Sequence, residues 1–317
     1  MIRRPPRSTL SSSSAASDVY KRQGLDIGTS KVVCVIGKYI DQYSVEVISM
    51  GSYPSSGLKK GVVVNIDATT DAIQKSIDQA QESFEGKIKN VYVGIAGNHI
   101  RSLNSHGIVG IKDKEVEASD IDRVIEAAQA VAIPSDQRVL HVLPQEYVID
   151  NQDSIREPLG MSGVRLESHV HLVTCANNAI QNIEKCVKRC GIGVDGFVLE
   201  QLASSYSVLS EDEKELGVCL VDIGGGTTDI AVFNSGSISF TGVIPIAGDQ
   251  VTSDIAVALR TPTAQAEDIK QKHGCAAAEL TKDGETLEVM RVGGRPPEDL
   301  SLIHISEPTR PRLISYA

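Results

Sequence analysis

The chain has 317 residues, with 31 Lys and Arg against 41 Asp and Glu, a formal charge of −10. Its 41% hydrophobic content is enough to bury a core, which excludes wholesale disorder, and the length suggests two domains. The acidic balance argues against nucleic acid as a partner, because phosphate-backbone binding needs clustered Lys and Arg. No apolar run reaches the length of a membrane span, and six cysteines without a CxxC pair read as reduced thiols of a cytosolic protein.

The two ends differ from the middle. Residues 1–23 hold five basic residues, one acid and a run of four serines, the composition of a transit peptide without its apolar face. MIRRPPRSTLSSSSAASDVYKRQ and the final SLIHISEPTRPRLISYA resemble translated sequencing-adapter read-through. Segments 1–23 and 301–317 are therefore expected to be non-native and to stand outside the fold. They carry net charges of +4 and +1, so residues 24–300 hold −15.

Residues 25–37 (LDIGTSKVVCVIG) predict a strand, a glycine turn and a second strand, and residues 44–49 alternate as a third. A helix follows, capped by Thr70, striped by Ile73, Ile77, Ala80 and Phe84, and stopped at Gly86. Residues 91–96 form the next strand. A second helix starts at Ser119, with Ile121, Val124, Ile125, Ala128 and Val131 on one face. Strands are expected at 139–143 and 169–174. Asn177 caps a third helix, striped by Ile180, Ile183, Val187 and Cys190, and Gly191 takes the C-terminal capping place. Strands at 217–223, 228–233 and 237–245 lead to helices at 251–259 and 264–273. This mixture of hairpins and helices predicts α/β layers with partly antiparallel sheets.

Gly191, Gly193 and Gly196 fit GxGxxG, but the run follows a helix and enters a strand, the reverse of a dinucleotide fingerprint. A GxxxxGK[ST] phosphate loop is absent from the sequence. Glu167, His169 and His171 share a strand face, yet a straight strand spreads them too far for one tetrahedral metal. Cys186 and Cys190 read as small core residues.

The informative feature is a repetition. Asp26-Ile27-Gly28-Thr29-Ser30-Lys31 and Asp222-Ile223-Gly224-Gly225-Gly226-Thr227-Thr228-Asp229 share one plan, 196 residues apart: a strand ending in Asp-Ile-Gly, small residues, then a second strand. Glycines let the backbone approach a ligand closely. Successive N–H groups in such turns make an anion site, to which Ser and Thr hydroxyls add donors. The two Asp residues offer hard oxygens for Mg²⁺. Two such hairpins predict a grip on a polyphosphate from both sides of a cleft.

These two motifs resemble the first and second phosphate motifs of the actin-like ATPase superfamily. The resemblance tightens to one of its families, the bacterial cell-division protein FtsA, through VLHVLPQEY at 139–147, LASSY at 202–206, AGDQVTSDI at 247–255, KQKHG at 270–274 and VGGRPP at 292–297. It covers essentially all of residues 24–300. It implies an actin-like (ribonuclease H-like) two-lobed α/β fold with an α+β subdomain inserted near 92–170. The first lobe would occupy 24–91 and 171–200, the second lobe 201–262, and the start of a truncated nucleotide-capping subdomain 263–300.

The resemblance also implies roles. Asp26 and Asp222 would hold Mg²⁺ through water, and the backbones of Gly28, Thr29, Ser30, Gly224, Gly225, Gly226 and Thr227 would cradle the phosphates of ATP. Lys31 would add a point charge, and Glu200, opening the helix between the halves, would orient the attacking water. Glu267 and Lys270, spaced i,i+3, resemble the pair that contacts ribose and base, and Gly248 would set a helix N-terminus near the nucleotide. The expected partners are FtsZ and other division proteins, further copies in filaments, and the inner membrane's cytoplasmic face at the division septum. The family's membrane-binding C-terminal helix and second adenosine motif are expected to be missing here, which predicts weak or no ATP binding and at most slow hydrolysis. A small-molecule kinase of the same fold, or a pilus-associated actin-like protein, are the competing readings.

Overall fold

A computed structural model describes residues 21–41, 44–275, 286–290, 292 and 298–301. Both adapter-like ends, apart from Lys21, Arg22, Gln23 and Ser301, and most of the 292–297 motif lie outside the described residues. The chain divides into two compact units, Met1–Pro245 and Ile246–Ala317.

The first unit is organised by a five-stranded sheet. β1 (Lys21–Ile27), β2 (Lys31–Tyr39) and β3 (Val45–Pro54) form an antiparallel meander. β1 begins at Lys21, before the expected boundary at Gly24, because Lys21, Arg22 and Gln23 pair with Lys38, Gly37 and Ile36. A short hairpin, β4 (Leu58–Lys59) and β5 (Val62–Val63), leads into helix α1 (Ile66–Glu82). The cap of α1 is Asn65, whose Oδ1 accepts the Ala68 N–H at 3.0 Å, and not Thr70. Thr70 lies one turn inside and donates its hydroxyl to the Ile66 carbonyl, a bond that mimics no cap but fits a helix interior.

β6 (Asn90–Ile95) and β11 (Gly193–Leu199) complete the sheet in the order β11-β6-β1-β2-β3, both parallel to β1. Helix α3 (Asn177–Arg189) joins them and packs with α1 on one face, where Ile73, Ile77, Val32, Cys34, Val93 and Ile180 are buried. Gly191 turns the chain at φ +72° after α3, and Gly193 and Gly196 lie in β11, so the GxGxxG run is a turn entering a strand.

Between β6 and α3 the chain makes a second layer: β7 (Ile100–Gly110), α2 (Ala118–Gln129), β8 (Gln137–Ile149), β9 (Gln152–Ile155) and β10 (Arg165–Ala176). The four strands are antiparallel in the order β7-β10-β8-β9. α2 begins at Ala118 and ends before Val131, the last residue of its expected stripe. It closes directly on β7 at Gly107, where a Cβ would meet the Val124 carbonyl at 2.2 Å. β8 runs through Pro144, well past its expected end, because the ladder to β10 steps over Gln145 in a bulge that tolerates the missing N–H.

The second meander follows helices α4 (Glu200–Val208) and α5 (Glu211–Leu216). It comprises β12 (Val218–Ile223), β13 (Thr228–Asn234) and β14 (Ser237–Ile244), all antiparallel. Its core is Ala231, Phe233 and Ile238, packed by Leu143, Leu202 and Leu209. The inserted layer is buttoned to β14 by side chains. Ser102 Oγ donates to the Thr241 carbonyl at 3.0 Å, Gln145 Nε2 to the Ile238 carbonyl at 2.8 Å and Asn104 Nδ2 to the Ser239 carbonyl at 3.2 Å. His171, 2% exposed, bridges Asn104 Oδ1 at 2.6 Å and Thr241 Oγ1 at 2.9 Å. His169 meets Glu146 and Glu167 meets Arg165, so the three residues weighed as metal ligands have separate partners.

In the second unit, α6 (Gly248–Leu259) and α7 (Thr263–His273) pack through Ile255, Leu259, Ala266 and Ile269, with Val289 of β15 (Thr286–Val289). β15 pairs with β16 (Glu298–Ser301).

Burial holds the His171 pKa down to about 4, so the ring is neutral at pH 7. The unfolded chain then binds a proton that the native state refuses between roughly pH 6.5 and 4. Stability from this ring is complete above that window and falls as pH is lowered through it. A His171→Leu chain is expected to lose about 1–3 kcal/mol at pH 7, because Asn104 and Thr241 lose a buried partner. Its urea midpoint should also fall less steeply between pH 7 and pH 4.5 than that of the parent. An unchanged slope would assign the acid sensitivity elsewhere.

Candidate functional site

Both Asp-Ile-Gly hairpins are built the same way. β1 ends on Asp26 and Ile27, and the Gly28 N–H donates to the Lys31 carbonyl at 3.0 Å. β12 ends on Asp222 and Ile223, and the Gly224 N–H donates to the Thr227 carbonyl at 2.9 Å. One backbone bond thus closes each turn. Glycine is required where the turns crowd: a Cβ on Gly28 would lie 2.9 Å from the Lys31 carbonyl oxygen, and one on Gly226 2.6 Å from Thr29 Oγ1. The tips of the two hairpins therefore touch.

Asp26, Glu200 and Asp222 line one cavity of about 320 Å³, together with Gly24, Tyr92 and Gly94. α4 sets the carboxyl groups against each other. Its first residue, Glu200, hydrogen-bonds Asp26, and Gly94 makes room, since a Cβ there would come within 3.1 Å of Glu200 Cγ. One turn on, Ser204 Oγ donates to Asp222 Oδ2 at 3.0 Å. Between them, fully buried Gln201 donates to Asp229 Oδ1 at 2.9 Å, and Thr227 Oγ1 donates to Asp229 Oδ2 at 2.8 Å.

The electrostatics follow from this crowding. Burial, and then the charges of Asp26, Asp229 and Asp222, raise Glu200 well above the carboxylate range, so it keeps its proton and donates to Asp26. Asp26 remains exposed at the cavity, yet the surrounding protein raises its pKa first and Asp222 second, with Lys31 pulling it back. Asp229 is pushed up to about 6 by burial, against the Thr227 hydrogen bond. Such a cluster has a standing demand for positive charge. No group of three or more His, Cys, Asp or Glu converges at metal-binding distance among the described residues, so a cation held here would be held largely through water.

Of the residues expected from sequence, Asp26, Gly28, Thr29, Ser30, Lys31, Glu200, Asp222, Gly224, Gly225, Gly226 and Thr227 come together in the first unit. Gly248, Glu267 and Lys270 come together in the second. Lys270 Nζ pairs with Glu267 Oε2 at 2.7 Å and donates to the Gly248 carbonyl at 3.1 Å. Thr252 joins them, and although burial works against it, these hydrogen bonds draw Glu267 down to about 2. Sequence reasoning missed Gln201 and Ser204, which follow Glu200 on its helix. It gave no role to Asp229 within the second motif.

A central sheet ordered β11-β6-β1-β2-β3, a second meander and paired Asp-Ile-Gly hairpins define an actin-like fold. Solved structures agree: one titled PilM-PilN type IV pilus biogenesis complex matches with a TM-score of 0.61 at 16% identity, over 80% of this chain and 69% of that one. MreB5 of Spiroplasma citri bound to ADP matches with a TM-score of 0.52 at 14% identity, over 92% and 74%. The family model for the SHS2 domain inserted in FtsA matches residues 97–174, and that for cell division protein FtsA matches residues 219–306. Cell division protein FtsA of Pseudomonas aeruginosa is 65% identical over 289 residues, 91% of this chain and 69% of that protein. The Escherichia coli K12 protein of the same name is 47% identical over the same shares. The chain belongs to the cell division protein FtsA family and has its cell-division function. No helix among the described residues is long and apolar enough to cross a membrane.

A carboxyl with a raised native pKa stabilises the fold at low pH and withdraws that contribution as pH rises toward its native pKa. Glu200→Gln keeps the shape and the donated hydrogen bond but removes the titration. In EDTA, the variant is expected to have a higher urea midpoint than the parent at pH 8.5, the difference closing toward pH 5. Equal midpoints at both pH values would show that Glu200 does not titrate in this range.

Proposed function

We propose that the cavity between the hairpins is an ATP site with Mg²⁺, and that nucleotide binding gates assembly of the protein at the division septum. The observation that carries this reading is the convergence of Asp26 and Asp222, the ends of two equivalent hairpins, on one cavity with Glu200 between them. Asp26 and Asp222 would hold the cation through water. The turn N–H groups of residues 29–30 and 225–227 would donate to phosphate oxygens, where the glycines leave no side chain in the way. When bound, Mg²⁺ neutralises phosphate charge. Glu200, at the start of α4, would orient a water beside the phosphates. Any hydrolysis is expected to be slow. Lys31 would balance Asp26, and in the second unit Glu267, Lys270 and Gly248 stay as the proposed adenosine contacts.

In the cell, the proposed partners are FtsZ, other division proteins and further copies of this protein in filaments. The proposed location is the cytoplasmic face of the inner membrane, reached through the family's C-terminal helix. The layer between β6 and α3 would serve protein partners, since it adds no group to the cavity.

Asp222→Ala separates binding from folding. Without nucleotide the variant is expected to be at least as stable as the parent, because one of four crowded carboxyls is gone. In the complete protein, ATP·Mg²⁺ at about a hundred times its Kd should stabilise the parent by about 2.7 kcal/mol. The melting temperature of the variant should not respond. A variant that shifts as far as the parent would sink the site assignment.

A further inference from the structure

The turn between β4 and β5 lies against both hairpins and has no role in the site so far. Leu58 pairs with Val63 and Lys59 with Val62, which leaves Lys60 and Gly61 to reverse the chain. Both have positive φ, +53° and +75°, as a two-residue type I′ turn requires. Such turns select Asn or Asp before Gly, whose short polar side chains tolerate the left-handed region. A lysine is held there at a conformational cost that asparagine avoids, and residues kept in such backbone conformations cluster at functional sites.

The surroundings point the same way. The Gly61 N–H donates to Thr29 Oγ1 at 3.2 Å, which ties the turn to the first hairpin. A Cβ on Gly226 would come within 3.0 Å of Lys60 Cα, so the turn also rests on the second. Gly61 is seated from the other side, where a Cβ would lie 2.6 Å from the Ala96 carbonyl oxygen. Lys60 is exposed and makes no ion pair among the described residues, while three acids, Asp26, Glu200 and Asp222, line the cavity beside the hairpins. A cation on a flexible four-carbon stem is thus stationed where the tips of both phosphate-type hairpins meet.

We infer that Lys60 is a phosphate-binding residue of the nucleotide site, supplying positive charge to the terminal phosphate of a nucleoside triphosphate. This rests on the ATP reading above. Asn suits the turn and removes the charge, and Arg keeps the charge, so Lys60→Asn and Lys60→Arg separate charge from backbone.

Binding of fluorescent ATP and ADP, each with Mg²⁺ and titrated to millimolar concentration, is measured beside thermal melts. Lys60→Asn is expected to melt at or above the parent temperature and to weaken ATP by about tenfold or more, with a smaller loss for ADP. Lys60→Arg should stay within a few-fold of the parent. ATP binding unchanged in Lys60→Asn overturns the inference and leaves the ATP site standing. Equal losses for ATP and ADP overturn the terminal-phosphate assignment, and a lower melting temperature with those losses marks a purely structural lysine. All variants are made in the complete protein, and a complete parent that binds neither nucleotide fails the ATP reading itself, and the inference with it.

Discussion

Like charge gathered in a half-dry cavity is the constraint on which the rest of this structure depends. Asp26 and Asp222 arrive from two different sheets, and Glu200 and Asp229 complete a cluster in which burial and neighbouring charge raise the pKa values of Asp26, Glu200 and Asp229. A fold can keep such a group only if donors are arranged around it, because an unpaired buried charge is strongly destabilising. α4 supplies two of them, Gln201 to Asp229 and Ser204 to Asp222, and the second hairpin supplies Thr227. The remaining repulsion is an affinity for cations, built in before any ligand arrives.

The glycine turns serve the same end by a different route. Each hairpin is closed by one backbone bond, and the missing Cβ atoms let the tips of Thr29 and Gly226 meet. Two meanders that would otherwise be independent sheets are held in register by this contact and by α4. The inserted layer lengthens the crossover from β6 to α3 without disturbing the parallel pairing of β6 and β11. Its bonds to β14, through Ser102, Asn104, Gln145 and His171, reach the strand next to Asp229. A change in the cavity and a change in the insert are thus separated by one strand.

Much of this was legible in sequence. The two Asp-Ile-Gly turns, the strands around them and the apolar stripes of α1 and α3 are local patterns, and local patterns survive into the fold. β7 was missed because its run of Arg101, Ser102, Asn104, Ser105 and His106 has no apolar alternation; it is a strand because β10 pairs along its whole length. β8 was cut short at Pro144, since a bulge that accommodates proline depends on the partner strand. Gln201 and Lys60 carry no motif, and their places follow from what packs beside them.

By itself, then, the sequence determined the turn chemistry: glycines where backbone must approach backbone, and an Asp at the end of each strand. Those are properties of a few consecutive residues and need no distant partner. Only the tertiary structure decided which acids share a cavity, which of them keeps a proton, and which lysine stands beside the hairpin tips. Charge interaction falls away with distance and solvent, so its sign and strength belong to the neighbours in space. Residues 196 positions apart become neighbours only when the sheets, the helix between them and the turns are all in place.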